Sequence, residues 1–207
     1  AQPDIGQTLL VFFSWSVLIF ISGINVIFLM ASSLILSVAL YFLISFVPKF
    51  AYIKNRLLSF FNTETGTHNA QSEKAIESIT SGGYFGKGIG EGTLKNRVPE
   101  AHTDYIISVI SEEFGVIAII LILLIFLIFI YSVFKKVYLA DEERTKLVLV
   151  GCVSLILLQA MIHIGVNIRL FPTTGMTLPF ISYGGSSIIS ISILSGIILN
   201  LTKRKIL

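Results

Sequence analysis

Long uncharged apolar runs alternate with shorter polar segments along most of the chain. Five runs stand out: Ile5–Ser22, Ile24–Val47, Phe114–Phe134, Leu147–Ile168 and Leu178–Leu201. A helix crosses the hydrocarbon core of a bilayer in about 20 residues, so each run reads as one span, the first being the shortest. Asp4 is a good N-cap for the first run, Gly23-Ile24-Asn25 breaks the chain before the second, and Pro48-Lys49 closes the second. No turn signal lies between Pro99, a residue suited to a first helical turn, and Phe134. One continuous helix is therefore expected there, its uncharged part Phe114–Phe134 covering about 31 Å. Gly184-Gly185 predicts a kink, or a close backbone approach, near the start of the fifth run.

The segment between the second and third runs is polar without being repetitive. Thr63–Ser72 is rich in Thr, Asn and Gly and reads as a loop. Ala70–Thr80 carries Ala75, Ile76 and Ile79 at helical spacing, which predicts a short amphipathic helix lying on the membrane surface. The glycine-rich stretch Ser81–Gly92 lets the backbone fold tightly. Neither G-x-x-x-x-G-K-[ST] nor G-x-G-x-x-G fits its spacing, so a nucleotide loop is set aside. Tyr84, Phe85 and Ile89 instead predict a compact turn against the membrane.

Composition agrees with the pattern: 54% of the residues are hydrophobic and 13% charged, more apolar surface than a soluble domain hides. The clustered charges fit α-helical spans and not the alternating strands of a β-barrel. The expected fold is an all-α integral membrane protein, a polytopic bundle of about five transmembrane helices. Residues 1–207 form a single membrane domain, with residues 48–104 as one large extracytoplasmic loop. Lys135, Lys136, Arg144 and Lys146 flank the loop between spans three and four, and Lys203, Arg204 and Lys205 end the chain. Two crossings separate these groups, which places both on the cytoplasmic side. The lone Cys152 excludes a disulfide framework within the chain, and a net charge of +3 gives no reason to expect nucleic acid. The start Ala1-Gln2-Pro3-Asp4 is neither an initiator nor a signal peptide, and reads as the latter part of a longer protein.

Titratable groups gather at one place, Arg97-Val-Pro-Glu100-Ala-His102-Thr-Asp104, at the mouth of the third run. Asp104 reads either as a solvated carboxylate near a helix start or as a general base whose apolar surroundings favour proton uptake. His163 and Asn167 share one face of the fourth span, which favours an interhelical hydrogen-bonding pair over a metal site. Arg169 ends that span and either snorkels to headgroups or, with Arg56, Arg97, Lys54 and Lys95, grips phosphate oxygens. Pro172–Ser187 reads as a rigid loop whose hydroxyls satisfy freed backbone groups at a broken helix.

These stretches, taken in order, resemble the SEDS family (shape, elongation, division and sporulation), and most closely its division branch. The resemblance rests on Gln2-Pro-Asp-Ile-Gly6, Ser81-Gly-Gly83 through Gly92, Pro99-Glu-Ala-His-Thr-Asp104 and Glu112-Glu-Phe-Gly115. Gln159-Ala160, Pro172-Thr-Thr-Gly175 and Leu178-Pro-Phe-Ile-Ser-Tyr-Gly-Gly-Ser-Ser187 complete it. Family members have about ten spans, and this chain resembles the last five.

The resemblance implies a peptidoglycan glycosyltransferase of the bacterial inner membrane, at the division septum. It would polymerise lipid II beside a class B penicillin-binding protein and other division proteins. The family's essential aspartate falls on Asp104, the expected catalytic residue. Arg56, Lys95, Arg97, Glu100, His102, Arg169, Thr173 and Ser182 are the expected glycan or pyrophosphate contacts, with a divalent cation (Mg or Mn) as an optional helper. His163 stands where the family pattern has Asn. Five spans do not build the whole groove, so the chain alone is expected to be inactive. The alternatives are a lipid II flippase or transporter, and a division scaffold without catalysis.

Overall fold

The computed structural model describes residues 4–50, 53–55, 58, 60, 67–93 and 98–203, and among these every regular element is helical. Helix α1 (Ile5–Ile21) starts where the Asp4 carboxylate accepts the Gln7 N–H at 3.0 Å. Helix α2 (Val26–Phe46) starts where Asn25 accepts the Ile27 N–H at 2.9 Å. The polar segment contributes α3 (Thr67–Gly82), and the remaining apolar runs give α4 (Ile106–Tyr138), α5 (Glu143–Asn167) and α6 (Gly185–Thr202). Helices α2, α4, α5 and α6 are long and apolar enough to cross a membrane, and α1 is a shorter apolar helix of the same kind. The protein is a multi-pass helical membrane protein.

Helix α5 is the centre of the bundle. Leu149, Cys152, Val153, Ile156 and Ala160 on α5 pack with Ile107, Phe126 and Val133 of α4 and Ile198 of α6. Helix α1 runs along another side of α5, with Leu18 against Gly151. Helix α2 has no buried residue.

Three expectations from the apolar pattern change in the structure. The first concerns the continuous helix from Pro99. Residues 99–105 form tight turns, and α4 begins only at Ile106. Glu100 adopts a left-handed φ of 54°, which ends any helical path through Pro99. The second is a break inside α4 at Gly115, where φ is 78° and ψ is 179°. Only glycine visits that region freely, and a Cβ there would also run into the Tyr84 carbonyl. The third is the fifth run: Leu178–Gly184 is not helical, and α6 starts at Gly185.

The glycine-rich loop explains how the break in α4 is tolerated. Lys87 and Gly88 donate their N–H groups to the Glu112 and Glu113 carbonyls at 2.8 and 3.0 Å. On the other side of the break, Val116 and Ile117 donate to the Gly83 and Tyr84 carbonyls at 3.0 and 3.3 Å. The loop thus supplies the partners that the interrupted helix lacks. Tyr84, Phe85 and Ile89 point outward, each more than 75% exposed, beside the outer end of the apolar run.

Helix α3 was expected on the membrane surface, yet its inner face packs on protein. Ser72, Ala75, Ser78 and Gly82, spaced three or four apart, form a buried stripe of small residues. That stripe lets the two backbones come close: a Cβ on Gly82 would collide with the Ser111 carbonyl of α4. Ser78 donates to the Ser108 carbonyl or to Glu112 Oε2, at 3.2 and 3.1 Å. Glu112 is fully buried, and Lys87 reaches its Oε1 at 3.3 Å.

Three stability predictions rest on this arrangement. Lys87→Met removes the Lys87 ammonium from the buried Glu112 carboxylate and should cost about 1.5–3 kcal/mol, discounted for the partly exposed lysine; adding Glu112→Gln should recover most of the loss. Gly115→Ala should cost roughly 2–4 kcal/mol from backbone strain and crowding. Gly196→Ala, in open space on α6, should be neutral or stabilising by about 0.5–1 kcal/mol. Thermal unfolding of the detergent-purified protein reads all four variants.

Candidate active site

The end of the bundle away from the basic 135–146 segment, termed the outer end, is assembled from two irregular segments, a strap (residues 98–105) before α4 and a loop (residues 168–184) between α5 and α6. The strap is a knot of turns around one carbonyl. Glu100 C=O accepts N–H groups from Thr103, Asp104 and Tyr105 at 3.1, 3.0 and 3.3 Å. Val98, Ala101 and Tyr105 are buried beneath it, with Ala75 of α3 and Val166 of α5. Asp104 is left partly buried, its carboxylate facing Gly175: a Cβ on that glycine would lie 3.6 Å from Asp104 Oδ2.

Helix α5 holds both segments in place. Gln159, His163 and Asn167 recur every four residues and so lie along one face. Each meets a main-chain carbonyl outside its helix. Gln159 Nε2 donates to the Thr177 carbonyl at 2.9 Å. His163 Nδ1 lies 2.7 Å from the Met176 carbonyl, an oxygen that only accepts, so Nδ1 carries the proton. Asn167 Nδ2 donates to the Asp104 carbonyl at 3.0 Å and to the His163 carbonyl at 2.9 Å. His163 and Asn167 are fully buried. Sequence reasoning placed His163 and Asn167 on one face but expected their partners on another helix; they are carbonyls of the two irregular segments, and Gln159 joins them on that face.

The two segments also meet directly, where the Tyr183 N–H donates to the His102 carbonyl at 3.0 Å. Within the loop, Ser182 Oγ accepts the Leu178 N–H at 2.8 Å, and Thr177 Oγ1 donates to Ser187 Oγ at the start of α6 at 2.7 Å. Phe180, at a left-handed φ of 66°, sets its ring against Phe126 and Phe129 of α4, with centroids 6.5 Å away in both cases. The loop is stitched from within and pinned from below.

The expected site residues fall into three groups. Glu100, His102 and Asp104 lie on the strap and Thr173 on the loop, with Glu100 and His102 exposed and Asp104 and Thr173 partly buried. Glu100 Oε2 accepts the Thr103 hydroxyl at 2.9 Å. Ser182 is buried and engaged in holding the loop, while Arg169 reaches Glu73 of α3 at 3.3 Å. Arg56, Lys95 and Arg97 lie outside the described residues. Among the described residues no three His, Cys, Asp or Glu side chains are grouped to hold a metal ion.

Residues 1–206 match the family model of the FtsW, RodA and SpoVE cell cycle proteins. A relative from Caulobacter vibrioides, named "Probable peptidoglycan glycosyltransferase FtsW", is 37% identical over 99% of this chain and 51% of its own length. A relative of the same name from Trichlorobacter lovleyi is 36% identical over 97% of this chain and 53% of its own. The chain therefore spans about half the length of these relatives. A solved structure described as "Structural coordination of polymerization and crosslinking by a peptidoglycan synthase complex" contains a chain that superposes with a TM-score of 0.76. That chain is 27% identical, and the match covers 97% of this chain and 55% of that one. This chain is a member of the FtsW/RodA/SpoVE family of cell cycle proteins, the family its motifs resemble.

Proposed function

We propose that this chain carries the catalytic carboxylate of a peptidoglycan glycosyltransferase that polymerises lipid II during cell division. The observation that carries the reading is Asp104. It sits partly buried at the end of the bundle opposite the basic 135–146 segment, on a strap tied to both neighbouring elements. Relatives that share more than a third of their aligned residues with the chain bear the name of that activity. The positive-inside rule puts Lys135, Lys136, Arg144 and Lys146 in the cytoplasm, and so puts Asp104 on the outer face within the 48–104 segment.

In this mechanism Asp104 takes the proton from the 4-hydroxyl of the acceptor sugar. The freed oxygen attacks C1 of the donor glycan, the new O4–C1 bond forms, and the C1–O bond to the polyprenyl pyrophosphate breaks with its electrons. A single displacement inverts the anomeric centre, turning an α-linked donor into a β-1,4 linkage. The departing pyrophosphate concentrates negative charge, which the cationic side chains of Arg56, Lys95, Arg97 and Arg169 are proposed to stabilise. Glu100, His102, Thr173 and Ser182 are proposed to line the glycan path. A class B penicillin-binding protein is the proposed partner, supported by the synthase complex whose chain this one resembles. The proposed location is the septal inner membrane.

Asp104→Asn and Asp104→Ala, made in the intact protein, should lower lipid II polymerisation by at least about 10²–10⁴-fold, the usual worth of a general base. Membrane insertion should stay intact, because the spans do not depend on this side chain and the strap's main chain stays bonded. Quantifying glycan polymer from reconstituted vesicles checks this. Normal polymer from both variants would remove Asp104 from the reaction. Labelled lipid II crossing the bilayer without any polymer would instead favour a flippase.

A further inference from the structure

We propose that Asn167 is a positioning residue for Asp104, acting through the hydrogen bond from its side-chain amide to the Asp104 main-chain carbonyl; this rests on the reading of Asp104 as the base. The direction in which a side chain leaves the backbone is set by the two peptide planes that flank its Cα. At Asp104 both planes are anchored. Its N–H donates to the Glu100 carbonyl at 3.0 Å, and its C=O accepts from Asn167 Nδ2 at 3.0 Å. The first anchor is local to the strap. The second reaches to the last residue of α5, 63 positions away, and ties the base to the rigid centre of the bundle. With both in place, the direction of the Asp104 Cα–Cβ bond is fixed.

The same helix face holds the opposite wall. His163, one turn below Asn167, bonds the Met176 carbonyl, next to the Gly175 that faces the Asp104 carboxylate. Helix α5 thus sets where the base stands and where the loop across from it stands. The plainer account is that Asn167 merely satisfies a buried carbonyl. That account leaves no reason for a turnover effect separate from a folding effect, and this difference is what the experiment reads.

Three variants of the intact protein, reconstituted with lipid II, serve as the test: Asn167→Leu, Asn167→Asp and Ser154→Ala. The last is a buried α5 control whose hydroxyl bonds only its own helix. Asn167→Leu should lower kcat by about 10–100-fold, the scale expected for displacing a reacting group by about 1 Å, with KM for lipid II within about threefold. Asn167→Asp places a carboxyl against two carbonyl oxygens, where it donates a hydrogen bond only when protonated. Its kcat should therefore fall as pH rises, adding a descending limb that the parent protein lacks over the same range. Ser154→Ala should keep the parental kcat. The proposal is overturned if Asn167→Leu keeps kcat within twofold. It is equally overturned if both Asn167 variants lose activity only in step with lost thermal stability and with an unchanged pH profile. Asp104→Asn, run alongside, separates the two readings. An inactive Asp104→Asn with a normal Asn167→Leu defeats the positioning role alone, whereas an active Asp104→Asn defeats the base itself.

Discussion

Three hydrogen bonds from one face of α5 organise the outer end of this protein. Gln159, His163 and Asn167 are polar groups in the most buried span of the bundle, where an unpaired polar atom costs several kcal/mol. Their bonds go to the carbonyls of Thr177, Met176 and Asp104, none of which lies in a helix. Irregular backbone near a membrane persists only where protein or water supplies its partners. The polar face of α5 meets that requirement for two segments at once, and thereby fixes their separation.

The break in α4 obeys the same rule with the roles reversed. There the interrupted element is a helix, and the partners come from the backbone of the glycine loop. Gly115 allows the change of direction, and Gly82 allows α3 to approach closely enough for Ser78 and Lys87 to reach the buried Glu112. The α3–loop–α4 unit is consequently rigid just below the strap, since Ile107 and Val109 of the same first α4 segment pack in the cores beneath it.

The spans were legible because apolar length is a one-dimensional property, and every apolar run contains a helix. The caps at Asp4 and Asn25 were equally local, and one of them was read from the residue type alone. What failed was the path between spans. Pro99 suits a helix start, but the left-handed Glu100 that follows is imposed by tertiary packing of Val98, Ala101 and Tyr105, which periodicity does not register. Gly115 stands at the junction of Glu112-Glu113 with the uncharged run, and a lone glycine there does not by itself mark a break. The glycine loop that makes the break possible lies about thirty positions earlier. The site divides along the same line: Asp104 stood out as a carboxylate at the mouth of a span, and the four-residue spacing of His163 and Asn167 was visible, while Gln159 on the same face was not read with them. Their targets lie 13 to 63 positions away for His163 and Asn167, beyond the reach of any pattern within one helix.

Backbone strain points to the same region independently. Glu100, Arg169 and Phe180 are the non-glycine residues with left-handed φ among those described, and all three lie in the two outer segments. Each such residue costs on the order of 1–3 kcal/mol, while a typical hydrogen bond contributes about 0.5–1.5 kcal/mol net. The α5 bonds therefore do not offset the strain by themselves. The remainder falls to packing: Phe180 against Phe126 and Phe129, and Val98, Ala101 and Tyr105 against α3 and α5. A surface that only had to face lipid or water would relax into ordinary turns. Strained residues held by a buried polar face and an aromatic cluster are what a fixed carboxylate needs, because the geometry around Asp104 survives only while every one of those contacts is made.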